Sequence, residues 1–267
     1  MKLTMLGTGH AMAKKCYNTC FVITNDENQH FLVDGGGGNQ IFTQLENANI
    51  EWENINHIFL THRHADHLIG LIWLIRMFCQ KMRRGLYNKN VYIYAHEELT
   101  ETLRSVSCMI LQKRDVEMFD KQIFFVPVTD GESLEIIGKK VTFFDICSDK
   151  DKQFGFSMNI NENEKISCCG DEPYQECEYQ YVKDSKWLLH EAFCLYSQAD
   201  IFQPYEKNHS TVKDACITAQ RLNVENLILY HTEDRNIKER KKLYTEEGKS
   251  YFDGNLYVPE DLDVFEL

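Results

Sequence analysis

The sequence predicts an α/β protein in which two sheets pack face to face with helices outside. Three observations predict it. Short apolar runs alternate with helical stretches towards both ends of the chain. Between them lies a meander of apolar runs separated by turn residues. No repeat at a fixed period and no Ser/Gly/Pro-rich linker interrupts the 267 residues, which hold only four prolines. One domain, residues 1–267, is therefore expected.

The elements follow in order. Lys2–Leu6, Cys20–Thr24 and His30–Val33 read as strands around turn residues such as Asn25-Asp26. The third ends at Asp34 and the run Gly35–Gly38, and Ile41–Asn49 then looks helical. His57–Leu60 is a short buried strand, Asp66–Gln80 a helix apolar on nearly all sides, Val91–Ala95 a strand and Glu97–Cys108 a helix. The meander comprises Ile123–Val128, Leu134–Ile137, Val141–Ile146, Phe154–Ile160 and Lys165–Cys169, with turns such as Asp130-Gly131. Strand and helix then alternate again: Trp187–His190, Val212–Leu222, Asn226–Tyr230 and Asn236–Glu246.

Composition bounds the function. Hydrophobic residues at 43% and charged residues at 26% exclude a disordered or collagen-like chain. Surface scaling gives roughly 12,000 Å² exposed when folded against about 45,000 Å² unfolded, enough for a large core without disulfides. The net charge of −12 repels nucleic-acid phosphates at long range and argues against a general nucleic-acid binder. Met1–Leu6 is a short strand with no apolar signal segment after it. The ten cysteines are therefore expected to be free thiols in a reducing, cytoplasmic compartment. No apolar run reaches the ~18–20 residues of a membrane span. The longest, Leu68–Phe78, is broken by Gly70 and Arg76 and reads as a buried helix.

The strongest chemical signal is Thr61-His62-Arg63-His64-Ala65-Asp66-His67. It starts where a strand ends and finishes where a helix begins. His62 and His64, two apart on extended backbone, can point the same way, and Asp66 and His67 can face a second point nearby. Three imidazoles and a carboxylate within six residues suit a borderline metal such as zinc.

This segment resembles the His-x-His-x-Asp-His signature of the metallo-β-lactamase superfamily. Other pieces match in order: Leu6-Gly7-Thr8-Gly9, Phe31-Leu32-Val33-Asp34-Gly35-Gly36, Gly170-Asp171, and His231 after an apolar strand. The resemblance covers essentially the whole chain and implies a four-layer αββα sandwich. It implies that Asp34 supports the metal loop, with the four glycines leaving space for it, and that Asp171 bridges two metals. His190-Glu191-Ala192-Phe193, His209-Ser210-Thr211 and Asn18-Thr19 further resemble the ribonuclease Z branch. That likeness implies that Glu191 orients His209 and that His209 protonates the leaving oxygen. A poor alkoxide leaving group needs such a proton as well as an activated water.

The resemblance thus implies two divalent ions, zinc or alternatively manganese. His62, His64, Asp171 and Cys147 would hold the first, and Asp66, His67, Asp171 and His231 the second. Asp66, His209 and Glu191 are the expected catalytic residues, and the expected substrate is a phosphodiester, either an RNA 3′ end or a small nucleotide. Cys147 stands where the family has a histidine ligand. It reads as a thiolate ligand, with a buried structural cysteine, a weakly held or absent first metal, or Asp149 as stand-in left open.

Phe156 and Gly170 are only 14 positions apart, enough for a hairpin but not for the arm with which many ribonuclease Z enzymes grip precursor tRNA. The basic residues Arg76, Lys81, Arg83, Arg84 and Lys89 read either as a phosphate-binding patch or as a solvated helix end. The Leu68–Phe78 helix fits a homodimer interface, as the resemblance suggests, or burial within one chain. Vicinal Cys168 and Cys169 are expected to point opposite ways, as core and surface thiols and not as a redox pair. His10 reads either as a loop residue able to approach the cleft or as a surface loop histidine. An acyl hydrolase using the same cluster, a di-iron oxidoreductase and a non-catalytic binding protein remain the competing readings.

Overall fold

The computed structural model describes all residues, Met1–Leu267. Fourteen strands form two seven-stranded sheets. The first comprises β1 (Lys2–Gly7), β2 (Cys20–Thr24), β3 (His30–Val33), β4 (Ile55–Phe59), β5 (Val91–Ala95) and β6 (Ile123–Pro127), with the last strand, β14 (Val264–Glu266), pairing back onto β1. The second comprises β7 (Ser133–Ile136), β8 (Lys139–Asp145), β9 (Phe154–Asn159), β10 (Lys165–Cys168), β11 (Trp187–Glu191), β12 (Asn226–Tyr230) and β13 (Asn255–Tyr257). The helices are α1 (Ile41–Asn47), α2 (Ala65–Arg83), α3 (Glu97–Ile110), α4 (Lys113–Val116), α5 (Tyr179–Val182), α6 (Ala199–Phe202), α7 (Val212–Arg221) and α8 (Arg240–Gly248).

Each sheet joins an antiparallel half to a parallel half. β3, β4, β5 and β6 run parallel, as do β10, β11, β12 and β13. Four of the five runs of the predicted meander form the antiparallel half of the second sheet, β7 to β10, whereas the first, Ile123–Val128, is β6 and pairs parallel with β5 at the edge of the other sheet. The β7–β8 hairpin turns at Ile137-Gly138, both in the left-handed region at φ +46° and +69°.

Three apolar clusters fill the three interfaces of four layers, so the αββα sandwich expected from the sequence is the fold. Between the sheets, Phe21, Phe31, Phe59, Phe143 and Phe156 are fully or almost fully buried and meet edge-on or tilted. Burying each contributes roughly 2–3 kcal/mol. α2 packs Leu71, Leu74, Ile75 and Phe78 under the first sheet. α7 and α8 pack Ala215, Cys216, Ala219 and Tyr244 over the second. The exposed area is 11767 Å², close to the roughly 12,000 Å² that surface scaling gives for a chain of this mass. No helix is long and apolar enough to cross a membrane.

Helix ends follow local rules. α2 carries Asp66 in its first turn and Lys81 and Arg83 in its last, complementing the helix dipole. α7 starts at a reciprocal Thr211–Asp214 capping box. Cys168 and Cys169 point to opposite faces as expected, Cys168 into the inter-sheet core, but neither is a surface thiol, because the α7–α8 layer covers the face to which Cys169 points.

Candidate metal centre

The chemistry-bearing residues lie at the carboxyl ends of strands from both sheets, where an α/β architecture commonly places its ligand. Asp34 follows β3, Thr61–His64 connect β4 to α2, Gly170-Asp171 follow β10, Glu191 ends β11 and His231 follows β12. Asp34 and His231 leave their strands in left-handed backbone, φ +58° and +55°. For residues with a Cβ this costs about 1 kcal/mol or more each, a strain typical of functional sites.

Hydrogen bonds hold Asp34 in that conformation. Its Oδ1 accepts the Thr61 N–H at 2.9 Å, and its Oδ2 accepts the Thr61 hydroxyl at 2.8 Å and His67 Nδ1–H at 2.7 Å. The Thr61 hydroxyl, having donated its proton, accepts from His62 Nδ1 at 2.9 Å. This chain of donors leaves a bare lone pair on Nε2 of both His62 and His67. The glycines serve the same loop. Gly35 N–H donates to His67 O and Gly70 N–H to Gly36 O, and a Cβ on Gly70 would stand 1.8 Å from Gly35 O.

Two donor sets result, sharing Asp171. His62, His64 and Asp171 offer ligand atoms within 4.8 Å of one another, as do Asp66, His67, Asp171 and His231. Asp171 Oδ2 lies 3.6 Å from His62 Nε2, 3.3 Å from His67 Nε2 and 3.0 Å from His231 Nε2. Asp66 Oδ2 lies 3.2 Å from His67 Nε2 and 3.5 Å from His231 Nε2. His62 Nε2 and His64 Nδ1 are 2.9 Å apart. His67 Nε2 is buried and makes no hydrogen bond despite its two carboxylate neighbours. Acceptor atoms converging on common points without donors between them fit divalent cations.

The electrostatics agree. Burial opposes a charge on His67, but Asp66, Asp34 and Asp171 outweigh it and raise its pKa well above the usual histidine range. Burial would raise the Asp171 pKa, but His62, His231 and His67 hold it well below the usual carboxylate range. His62, fully buried, is pushed well below the usual histidine value.

Beside this centre stand Glu191 and His209. Glu191 Oε2 is 3.6 Å from His209 Nδ1, and Glu191 Oε1 accepts the Ser210 N–H. Burial opposes a charge on His209, but Glu191 raises its pKa. The His209 ring stacks on Phe193 at 5.2 Å and lies 5.2 Å from the His231 ring. Ser210, a good cap by type, does not cap α7; Thr211 does.

Of the expected ligands, Cys147 is the one the structure does not bring to the centre. Its sulfur is bonded to that of Cys177, its backbone turns away at φ +57°, and its side chain is exposed. A disulfide sulfur carries no thiolate and does not ligate. The expectation of ten free thiols is corrected with it, since eight are free. Asp149 is exposed and belongs to neither donor set. The first set therefore has three protein donors.

His10 does approach the centre. Its ring meets Phe193 at 4.9 Å, and burial with the neighbouring His231 lowers its pKa to about 4. The basic run lies away from the centre: Arg83 pairs with Asp115, Lys81 lies over Trp52, Arg76 over Trp73, and Lys89 binds Glu53 O, while Arg84 lines a surface pocket with Arg76 and Lys81.

Glu172 went unnoticed in the sequence. Buried beside Asp171, it accepts from Ser148 and Gln153 at one oxygen and from Asn208 at the other, tying the loops around the centre together. Its position next to Asp171 was the only available signal.

This fold and these shared donor sets define a metal-dependent hydrolase of the metallo-β-lactamase superfamily, similar to ribonuclease Z. The chain is 28% identical to Ribonuclease Z of Thermococcus sibiricus over 100% of its own length and 96% of that protein. It is 24% identical to Ribonuclease Z of Azobacteroides pseudotrichonymphae over 91% and 93%. Among solved structures, the metallo-β-lactamase fold protein YhfI from Bacillus subtilis matches with a TM-score of 0.81 at 16% identity, covering 100% of this chain and 99% of that one. The short form of human tRNase Z matches with a TM-score of 0.74 at 21% identity, with the same coverage. The chain belongs to the Anti-Pycsar protein Apyc1 family, whose sequence model matches residues 1–250.

Proposed function

We propose that this chain hydrolyses a phosphodiester at a two-ion centre, with His209 as general acid. The observation that carries this reading is the Glu191–His209 pair, 3.6 Å apart, set against the donors that share Asp171. An acyl hydrolase does not need a separate buried carboxylate–histidine pair to protonate an alkoxide, whereas a phosphodiester with a poor leaving group does. His62, His64 and Asp171 would hold one ion, and Asp66, His67, Asp171 and His231 the other. Zinc suits this imidazole and carboxylate set, and manganese is the alternative. Bound there, the ions would lower the pKa of water and neutralise charge developing on the phosphate oxygens.

The chain's own residues do the rest. Asp34 accepts Nδ1–H of His67 and Thr61 accepts that of His62, so each ring is held with Nε2 aimed at the ion. Glu191 keeps a proton on His209, which releases it to the leaving oxygen. Phe193 stacks on the His209 ring and meets His10 edge-on, which limits how the ring can turn.

A small nucleotide fits better than a long RNA. Phe156 and Gly170, 14 positions apart, are joined only by the β9–β10 hairpin, and the net charge of −12 disfavours a polyanion. We further place the chain in the cytoplasm, a reading that rests on its eight free cysteines. We also read it as a homodimer through the exposed face of α2, where Trp73 stands beside Ile69, Ile72 and Arg76. Light scattering at low micromolar concentration tests the dimer.

Hydrolysis of bis(p-nitrophenyl) phosphate by zinc- or manganese-loaded protein, with a chelated control, tests the reaction. Chelator-sensitive turnover supports the reading. No turnover in metal-replete protein, with turnover of an ester or lactone instead, replaces it with the acyl hydrolase.

A further inference from the structure

The loop 146–153, which in the resembling family would supply a ligand, supplies a carboxylate one step further out. Asp151 Oδ2 lies 3.2 Å from His64 Nε2, and Asp151 Oδ1 pairs with Arg63. His64 Nδ1 is the atom that faces His62 Nε2 at 2.9 Å. An imidazole that donates Nε2–H to a carboxylate presents a bare Nδ1 lone pair and becomes a stronger ligand.

The three histidines of the His62–His67 segment then follow one rule. His62 is held through Thr61, His67 through Asp34, and His64 through Asp151. His64 most needs such a partner. Its side chain is 39% exposed, whereas those of His62 and His67 are buried and oriented by packing. Its donor set also has only three protein ligands, because Cys147 is withdrawn into the bond with Cys177.

The loop is built to hold Asp151 in place. Ile146 N–H donates to Gln153 O, closing the loop on itself at 3.1 Å. Ser148 Oγ and Gln153 Nε2 both donate to Glu172 Oε1. His96 Nε2 bonds Lys152 O at 3.1 Å, and the Cys147–Cys177 bond anchors the start of the loop.

We infer that Asp151 is a positioning residue for the first metal, fixing the tautomer and orientation of His64, so that the loop serves the site through Asp151 and not through Cys147. This rests on the metal-centre reading of the donor sets and not on the phosphodiester substrate.

The test is a metal titration against a chromophoric chelator, with zinc, on the wild-type chain and on Asp151→Asn, Asp151→Glu and Asp149→Asn. Asp151→Asn is expected to weaken one of two ions by about 10–100-fold and leave the other unchanged. Its metal-free melting temperature should match wild type. Asp151→Glu should recover part of the loss, and Asp149→Asn, on the same loop and exposed, should bind as wild type. Wild-type affinity for both ions in a folded Asp151→Asn overturns the inference. So does an equal loss in Asp149→Asn, which would make loop charge and not the His64 bond responsible. A wild-type chain that binds two ions but cleaves no phosphodiester leaves the inference standing and removes only the substrate reading.

Discussion

Glu191 reaches in two directions: Oε2 stands 3.6 Å from Nδ1 of His209 while Oε1 accepts the backbone N–H of Ser210, the next residue. The carboxylate thus holds both the ring and the backbone that carries it. His209→Ala should lower turnover by about 10²–10⁴-fold while metal content stays at the wild-type value. Unchanged turnover would remove His209 from the mechanism. The pH dependence carries a sign. A general acid works while protonated, so activity falls as pH rises through the pKa of His209. Glu191 raises that pKa. Glu191→Gln should therefore move the alkaline limb to lower pH, and a pH–rate profile of a folded variant checks it.

Asp171 and Asp66 differ in how many donor sets they join. Asp171 belongs to both, and Asp66 only to the set with His67 and His231. Asp171→Ala should therefore lose both ions after dialysis against low metal, and Asp66→Asn only one. Elemental analysis per chain decides it, and equal losses in the two variants would contradict a shared Asp171.

Legibility in the sequence followed distance along the chain. The His62–His67 segment was visible because its four donors lie within six residues at a strand–helix junction. Asp171, Glu191, His209 and His231 were reachable only through their order along a resembling family. The Cys147–Cys177 bond was not legible, because it joins residues 30 apart whose proximity depends on where β8 and the chain after Asp171 end. Asp151 carried no signal for the same reason: its partner His64 is 87 positions away. β13 and β14, three residues each and partly exposed, have too few apolar positions to show alternation. They form because open edges of the two sheets recruit them.

The contact of Gly70 with Gly35 sets how α2 enters the centre. A Cβ on Gly70 would meet Gly35 O at 1.8 Å and Gly35 C at 2.5 Å, both backbone atoms that cannot swing aside. Gly70→Ala must therefore push the first turn of α2, and His67 with it, away from β3. The expected cost is about 3 kcal/mol, or roughly 6–12 °C in Tm for a chain of this size. Gly38→Ala, where nothing lies within 4 Å of the added atom, should change stability by less than about 0.5 kcal/mol. Thermal melts of the pair check both, and equal melting temperatures would contradict the close approach.

Glu178 gives the fold a pH dependence away from the donor sets. It is fully buried, and Oε1 accepts the Gln175 N–H at 2.8 Å while Oε2 has no partner. Burial pushes its pKa up to about 8, against an ordinary value of 4.5. Between these values the folded chain holds a proton that the unfolded chain has released. Unfolding then releases a proton, so stability falls as pH rises, by up to ~1.4 kcal/mol per pH unit from this one group. The contribution is fully present below the unfolded value and is lost as pH rises towards 8, above which the penalty stops growing. Glu178→Gln keeps the size and hydrogen-bonding capacity but cannot ionise. Its stability advantage over wild type in urea titrations should therefore widen from pH 5 to pH 8. A difference that stays constant across that range would show that Glu178 titrates alike in the folded and unfolded chains.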